Sequence, residues 1–210
     1  MSDQPIDDPI IYVVDDNLDV REGLKALLES VGLKNETFGS TAEFLKRRCH
    51  DRVSCLILDV RLPGLSGLDF QAELTKAHVD TPIIFISGHG DIPMTVKAVK
   101  AGAIEFLPKP LREQDLLDAV RVALDVDRAR RAEYTKAGDV RARYAALSPR
   151  EQQIMKLVCS GLMNKQTAAE IGVSEVTVKV HRHNLMKKLG AKTLPDLVRL
   201  ADMLGVTRKQ

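Results

Sequence analysis

Cysteine is scarce in this sequence. Only three cysteines occur among the 210 residues, Cys49, Cys55 and Cys159, and no two of them have C-x-x-C spacing. An odd number without that spacing argues against a disulfide framework and against a zinc or redox site built on sulfur. We expect buried free thiols.

Long apolar runs are also missing. No window approaches the roughly 18 consecutive apolar residues of a membrane helix, and the first residues do not resemble a secretory signal. With 44% hydrophobic and 29% charged residues, the chain can form one large domain or two modest ones. We expect a cytoplasmic protein with no membrane partner.

Charge is distributed unevenly along the chain. Residues 1–127 hold 14 Lys and Arg against 22 Asp and Glu, a net charge of −8, whereas residues 143–210 hold 12 against 5, a net charge of +7. Residues 128–142 are also basic, at +3. This asymmetry predicts two modules with different partners, and nucleic acid is the candidate partner of the basic module.

The acidic module alternates apolar runs with amphipathic stretches. The runs IIYVV, SCLILDV, PIIFIS and AIEFLP begin at residues 10, 54, 82 and 103, and a shorter, weaker strand is expected near LKNETF at 33–38. Helical patterns lie between them, at 18–31, 40–47, 66–77 and 92–101, and from 112 onward. Strict alternation predicts an α/β doubly wound, five-stranded parallel sheet with helices on both faces.

Polar residues follow four of these strands. Asp15 and Asp16 end the first, Asp59 the third, Ser87 the fourth, and Lys109 follows the fifth. Ligands of parallel sheets bind at the carboxyl ends of strands, so these side chains are expected to converge. Three carboxylates favour a hard divalent cation, and with the lysine and the hydroxyl they could hold a phosphoryl group on Asp59.

Each of these residues also has a simpler explanation. Asp16 or Asn17 could cap the following helix. Ser87 could belong to a turn, and Lys109 could be a loop charge. The coincidence of all of them at strand ends favours a shared site.

The middle of the chain is helical and then strongly charged. Apolar residues keep helical spacing through Leu124, after which charges dominate and Gly138 offers a break. We expect the last helix of the acidic module to run into a charged linker.

The basic module begins with helix signals. Ser148, Pro149 and Glu151 make a capping box, and a short second helix is expected to turn Ala168, Ala169 and Ile171 inward. Gly172 then interrupts the chain before Ser174 caps a third helix. This order is typical of an all-α helix-turn-helix domain of four helices, the last capped by Thr193.

The third helix has two distinct faces. At 100° per residue, Val178, His181, Leu185 and Leu189 share one side, which is predicted to pack inward. The opposite side, with Lys179 beside it, is predicted to face a DNA major groove, although a solvated basic face is the alternative. That side carries Val176, Val180, His183 and Lys187.

Residues 8–126 resemble the receiver domain of bacterial two-component response regulators, since VVDDN, LILDVRLPGLSG, ISGHGD and EFLPKP fall in that family's order and spacing. The resemblance implies that Asp59 accepts a phosphoryl group from a sensor histidine kinase. It also implies that Mg²⁺ is held by Asp15, Asp16, Asp59 and the backbone carbonyl of Arg61.

The resemblance assigns further roles in the receiver. Ser87 and Lys109 are expected to contact the phosphoryl oxygens, and the Lys109–Pro110 peptide bond is expected to be cis. Ser87 and Phe106 would form a switch, although Phe106 also fits an ordinary core position. A phosphohydrolase would use a similar aspartate, but its usual second acid is replaced by Arg61, so we do not expect an enzyme.

Residues from LSPREQQIMKLVCSG onward resemble the LuxR-type helix-turn-helix, and the pair of domains resembles the NarL/FixJ family, with FixJ the nearer pattern. We expect a receiver at 1–126, a helical charged linker at 127–142 and a DNA-binding domain at 143–210. The resemblance places Lys179, Val180 and His183 at base-contacting positions and makes Lys165, Thr177, Arg182 and Lys187 candidates for phosphate contacts.

The expected function is phosphorylation-dependent transcription regulation. The phosphorylated protein would form a homodimer, bind double-stranded promoter DNA and act with RNA polymerase. An output domain that recognises RNA or a polymerase subunit is the other interpretation of the same basic module. The charge of +7 and the two-faced third helix favour duplex DNA.

Overall fold

The computed structural model describes residues 8–47, 52–77, 79–88 and 92–206. Contacts between Cα atoms divide the chain into two compact units, Met1–Arg131 and Ala132–Gln210. We refer to them as the receiver unit and the helix-turn-helix unit. Each has its own hydrophobic core.

The receiver unit is built on a parallel sheet of five strands. Their spatial order is β2-β1-β3-β4-β5, so the chain reverses direction across the sheet after its first two strands. Every predicted strand is present, with boundaries shifted by at most two residues. The strands are β1 (Ile10–Val14), β2 (Lys34–Phe38), β3 (Ser54–Asp59), β4 (Ile83–Ser87) and β5 (Glu105–Pro108).

Helices cover both faces of this sheet. Successive residues of the central strands point to opposite faces, so each strand contributes to two cores. Tyr12, Leu56 and Phe85 pack on the side of α2, α3 and α4, and Val13, Ile57 and Ile84 on the side of α1 and α5. The helices are α1 (Leu18–Ser30), α2 (Thr41–Lys46), α3 (Gly67–Lys76), α4 (Ile92–Lys100) and α5 (Glu113–Ala145).

Helix α5 is the longest element, at 33 residues. It packs against the sheet through residues from Leu116 to Leu124 and then continues into the charged segment. The predicted break at Gly138 is wrong. One glycine costs a helix only about 1 kcal/mol relative to alanine, which a helix of 33 residues tolerates.

A buried acid connects α5 to the sheet. Asp127 is fully buried and accepts a hydrogen bond from the backbone amide of Ser54, at the start of β3, at 2.9 Å. Arg131 donates to the same carboxylate at 2.8 Å, and Arg130 donates to its other oxygen. Arg130 also bonds to the backbone carbonyl of Asp80. Nothing in the sequence pattern had indicated this cluster.

The helix-turn-helix unit packs four helices around one core. Ile154, Met155, Leu185 and Leu197 are fully buried in that core. The capping box predicted at Ser148 is present, and the cap predicted at Thr193 is also a complete capping box. The helices are α6 (Pro149–Cys159), α7 (Asn164–Ile171), α8 (Glu175–Leu189) and α9 (Leu194–Met203).

One inward-facing residue of α7 was assigned wrongly. Ala168 and Ile171 are buried as predicted, but Ala169 is exposed and Thr167 is fully buried in its place. Residues three and four apart share a helix face, so Thr167 belongs with Ala168 and Ile171. Thr167 was not predicted to be buried because its side chain is polar.

Two of the three cysteines lie among the described residues, and both are free thiols. Cys55 is a buried free thiol, Cys159 is a half-buried one, and Cys49 lies outside the described residues. Burial raises the pKa of the Cys159 thiol to about 11. Among the described residues, none of the helices combines the length and the apolar character that crossing a membrane requires.

Candidate functional site

The predicted polar residues meet at one edge of the receiver sheet. Asp15 directly follows β1, Asp59 and Ser87 are the last residues of β3 and β4, and Lys109 directly follows β5. All four strands are parallel, so their carboxyl ends lie together. The Lys109–Pro110 peptide bond is cis.

Three carboxylates form a cluster at this edge. One oxygen from each of Asp15, Asp16 and Asp59 lies within 4.8 Å of the others. Asp15 and Asp59 are buried, whereas Asp16 is exposed, so the cluster opens to solvent on one side. Asn17, not Asp16, caps α1 by accepting from the amide of Asp19 at 2.9 Å. Asp16 therefore remains available to the cluster.

Lys109 bridges two of these acids. Its Nζ lies 2.5 Å from Oδ2 of Asp15 and 3.0 Å from Oδ2 of Asp59. Burial raises the pKa of the Asp15 carboxyl, and hydrogen bonds from Lys109 and from the amide of Asn17 oppose that rise without cancelling it. For Lys109, burial lowers the pKa, but hydrogen bonds to the two carboxylates outweigh it and the pKa is raised.

One cation does not balance three carboxylates. If all three acids are ionised, they and Lys109 together carry a net charge of −2. The atoms of this group that could bind a metal are all carboxylate oxygens. Hard divalent cations prefer such ligands, and a bound cation favours the ionised form of a buried acid. The arrangement therefore fits a divalent metal ion.

Ser87 ends β4 at the same edge of the sheet, and Phe106 lies in β5, three residues before Lys109. Ser87 is fully buried, and its backbone carbonyl accepts from the amide of Lys109 at 2.8 Å. Phe106 is buried at 9% exposure and pairs in register with Phe85, with 6.4 Å between the ring centroids. Phe106 thus packs as an ordinary core residue, which was one of the two roles expected for it. Arg61 is exposed, and its amide donates to Oδ1 of Asp59 at 3.3 Å.

Two residues support the carboxylate cluster in ways that were not predicted from the sequence. Arg21 in α1 donates to the backbone carbonyls of Asp15 and Asp16 at 2.7 and 3.0 Å. Gly67 begins α3 so close to Asp59 that a Cβ atom would lie 2.4 Å from its carbonyl oxygen. Neither residue has a distinctive sequence signal, because Arg21 resembles any other helix charge and Gly67 stands eight residues beyond Asp59, at the start of α3.

Helix α8 has the two faces that the sequence predicts. Val178, Leu185 and Leu189 are buried in the core, and His181 is half-buried. The opposite face is open to solvent, and we call it the reading face. It carries Val176, Val180, His183 and Lys187, with Lys179 beside them, all exposed.

Local contacts hold α8 in place. Gly172 ends α7 with φ of 67°, a left-handed conformation that glycine adopts readily. Ser174 then caps α8 by accepting from the amide of Thr177 at 3.1 Å. From α8, Lys188 bonds at 2.7 Å to the buried carboxylate of Glu151 in α6. The face opposite the core is therefore presented on a fixed helix.

The predicted DNA contacts do not all share one environment. Lys165 is exposed in the first turn of α7. Thr177 is half-buried and its hydroxyl lies 2.8 Å from that of Ser174. Arg182 is half-buried and donates to Asn164 of α7 at 3.2 Å, so it also connects two helices. Exposed Lys179 pairs with Glu175 at 3.1 Å.

Comparisons with known proteins agree with this architecture. The response regulator receiver domain family matches residues 11–121. The family described as bacterial regulatory proteins, luxR family, matches residues 145–201. The first match lies within the receiver unit and the second within the helix-turn-helix unit.

Relatives match over nearly the whole chain. Nodulation protein W of Bradyrhizobium diazoefficiens is 52% identical, over 94% of this chain and 87% of its own. Transcriptional regulatory protein FixJ of Azorhizobium caulinodans is 41% identical, over 93% of each. The solved response regulator StyR is 50% identical, with a TM-score of 0.82 over 93% of this chain and 98% of its own. This chain is therefore a member of the NarL/FixJ family of two-component response regulators, a transcription regulator rather than an enzyme, with a receiver domain and a LuxR-type DNA-binding domain.

Proposed function

We propose that this regulator accepts a phosphoryl group on Asp59 from a sensor histidine kinase and, once phosphorylated, dimerises and binds promoter DNA. The observation that supports phosphorylation most directly is the position of Lys109. Its ammonium contacts Asp59 and Asp15 together, at the mouth of a three-carboxylate cluster. A phosphoryl group on Asp59 would therefore form beside a fixed positive charge.

Mg²⁺ is the cation we assign to the cluster. Asp15, Asp16, Asp59 and the backbone carbonyl of Arg61 would hold it. Mg²⁺ accepts one or two carboxylates and keeps several waters, which suits a cluster that is open on the side of Asp16. When bound, it would neutralise charge on the phosphoryl oxygens.

The residues of the carboxylate cluster, with Lys109 and Ser87, have different roles in the phosphoryl transfer. A carboxylate oxygen of Asp59 forms a bond to phosphorus while the bond from phosphorus to the kinase histidine nitrogen breaks. Such transfers need positioning and charge neutralisation more than covalent help. Hydrogen bonds from the Arg61 amide and from Lys109 position Asp59. Lys109 would neutralise one equatorial oxygen, and the Ser87 hydroxyl would contact another.

Phosphorylation would then act through Ser87 and Phe106. A new oxyanion at the end of β3 draws the Ser87 hydroxyl, and Phe106 turns into the space that this movement opens. Phe106 lies within residues 92–125, and we propose the surface of that segment as the dimer contact.

The helix-turn-helix unit supplies the DNA contacts. We propose that Lys179, Val180 and His183 contact base edges in the major groove. A dimer binds two half-sites, which makes the second contact intramolecular. The protein would act in the cytoplasm with RNA polymerase, with the receiver at 1–126, the linker at 127–142 and the DNA-binding domain at 143–210. Lys165, Thr177, Arg182 and Lys187 are proposed to contact phosphates.

Labelling with radioactive acetyl phosphate tests the phosphoacceptor. The Asp59→Asn protein should take up no label, because an amide cannot form the acyl phosphate. Asp19→Asn, which changes an exposed acid of α1 outside the cluster, should be labelled normally. Label on the Asp59→Asn protein would refute the assignment of Asp59.

Two further measurements test the metal and the output. Calorimetric titration with Mg²⁺ should show weaker binding to Asp16→Asn than to Asp19→Asn. Sedimentation and DNA titration of the full chain should show that acetyl phosphate increases dimer content and DNA affinity together. Tighter DNA binding by a phosphorylated monomer would contradict dimerisation, and equal Mg²⁺ binding by the two variants would contradict the metal site.

A further inference from the structure

Helix α8 carries apolar side chains on both of its faces. Val178, Leu185 and Leu189 fill the core, as expected for one apolar stripe. Val176 and Val180 lie on the opposite side and are 70% and 54% exposed. Neither belongs to the hydrophobic core of this unit nor packs against it. These two valines therefore need an explanation other than folding.

Helix stability does not explain them either. A β-branched side chain loses rotamer freedom in a helix, so valine is a poorer choice than alanine at an exposed helical position. Single exposed apolar residues are common on protein surfaces. Here two of them are four residues apart, which places them side by side on one face. That face also carries His183, and it lies at the start of α8.

We propose that Val176 and Val180 form an apolar strip that reads thymine methyl groups in the major groove. This inference rests on the proposed DNA-binding function. The thymine methyl is the apolar feature that base edges display in that groove, and aliphatic side chains recognise it by contact. Residues at the start of a recognition helix reach the base edges most closely, and Val176 is the second residue of α8.

The spacing of the two valines fits this role. Side chains four residues apart on a helix are about 5–6 Å apart at Cβ, and successive base pairs are about 3.4 Å apart along a strand. The strip can therefore contact methyl groups on base pairs one or two steps apart. Lys179 and His183 flank it with groups that can form hydrogen bonds. The strip thus predicts thymine at two positions of the binding site, next to the base pairs that Lys179 and His183 contact.

Replacing thymine by deoxyuridine tests the strip, because this change removes the methyl group and keeps every hydrogen-bonding group of the base. Binding sequences would be selected from a random duplex library with the full chain and acetyl phosphate. Each thymine of the selected duplex would then be replaced singly by deoxyuridine. We expect two positions, one or two steps apart, where affinity falls about three- to tenfold, the effect of losing one buried methyl contact.

Alanine variants then connect each methyl group to its valine. Val176→Ala should bind the thymine and deoxyuridine duplexes equally at one of the two positions, and Val180→Ala should do so at the other. Alanine is a good helix former, so both variants should fold. Leu194→Ala, which changes another exposed apolar residue of this unit, should discriminate as the unchanged protein does.

The outcomes separate this inference from the function on which it rests. If no sequence is enriched from the library, both the proposed DNA readout and the thymine strip are refuted. If a sequence is enriched but no deoxyuridine replacement weakens binding, the strip is refuted and the DNA-binding function stands. If each valine variant loses affinity equally for thymine and deoxyuridine duplexes, the valines act structurally and the inference also fails.

Discussion

The two units place their functional polar groups in opposite environments. In the receiver unit, Asp15, Asp59 and Ser87 are buried, and Lys109 bonds to both acids. In the helix-turn-helix unit, Lys179 and the residues of the reading face are exposed. Chemistry on a phosphoryl group needs fixed charges screened from water, whereas a groove-reading surface must meet its partner from outside.

This difference predicts how the units respond to substitution. In the receiver unit, polar groups near the pocket or the sheet also hold the fold together, so their replacement should change stability along with function. On the reading face, replacement should change DNA binding and leave stability almost unaltered. Four substitutions test the contrast, in decreasing order of their effect on stability.

Asp127→Ala should be the most destabilising change. It leaves the amide of Ser54 without its acceptor and removes the buried partner of Arg130 and Arg131. Since the two arginines are partly exposed, we expect a loss of about 2–4 kcal/mol in unfolding free energy, below the cost of breaking a fully buried pair. Hydrogen exchange of β3 amides in the full chain measures it.

The control for this change lies on the same helix. Asp125 is exposed and pairs with Arg128 at 2.8 Å, so Asp125→Ala should cost no more than about 0.5 kcal/mol. Equal effects of the two alanine variants would mean that burial of Asp127 does not stabilise the receiver unit.

Gly67→Ala should have an intermediate effect. The added Cβ would meet the carbonyl oxygen of Asp59 at 2.4 Å and Cε1 of Phe85 at 3.1 Å. Moving α3 or β3 to relieve this contact should cost about 1–3 kcal/mol and slow labelling of Asp59 by acetyl phosphate. Gly23→Ala is the control, because its Cβ would have no neighbour within 4 Å, and it should stabilise α1 by up to about 1 kcal/mol. A normal labelling rate in Gly67→Ala would show that the pocket tolerates the displacement.

Lys179→Ala and Lys187→Ala should have the smallest effect on stability, within about 0.5 kcal/mol. Their effects on DNA binding should differ. Lys179→Ala should relax the preference at one base pair, by about 1–3 kcal/mol if the contact is bidentate. Lys187→Ala should weaken binding to all sequences alike and reduce its salt dependence. If specific and random duplexes respond identically to both variants, the assignment of these lysines is wrong.

Most of the fold followed from local patterns. Four of the five strands follow apolar runs within two residues of their predicted bounds, because buried parallel strands are continuous apolar segments between turn residues. The weaker strand near LKNETF is also present, although it is only partly buried. The convergence of Asp15, Asp59 and Lys109 also followed, since parallel strands bring their ends together whatever the loops do.

Contacts between segments that are distant in the sequence could not be predicted from local patterns. In the sequence, Asp127 is one of many charged residues in a helix that carries both acids and bases. It contacts Ser54, 73 residues away, only because the chain folds so that the two lie together. Thr167 was passed over because a hydroxyl in a core position looks like a surface residue. The backbone contacts of Arg21 and Gly67 depend on how closely α1 and α3 approach the strand ends, which residue types alone do not reveal.

The cluster around Asp127 has a consequence for engineered regulators. Chimeras that join one receiver to a different output domain depend on where the recombination junction falls. A junction before Asp127 would replace the acceptor of the Ser54 amide with whatever residue the new domain supplies there, and a junction after Arg131 would keep all three members of the cluster with their own sheet. Interchange of output domains in this chain is therefore safest after Arg131, because the whole cluster then stays with its own sheet.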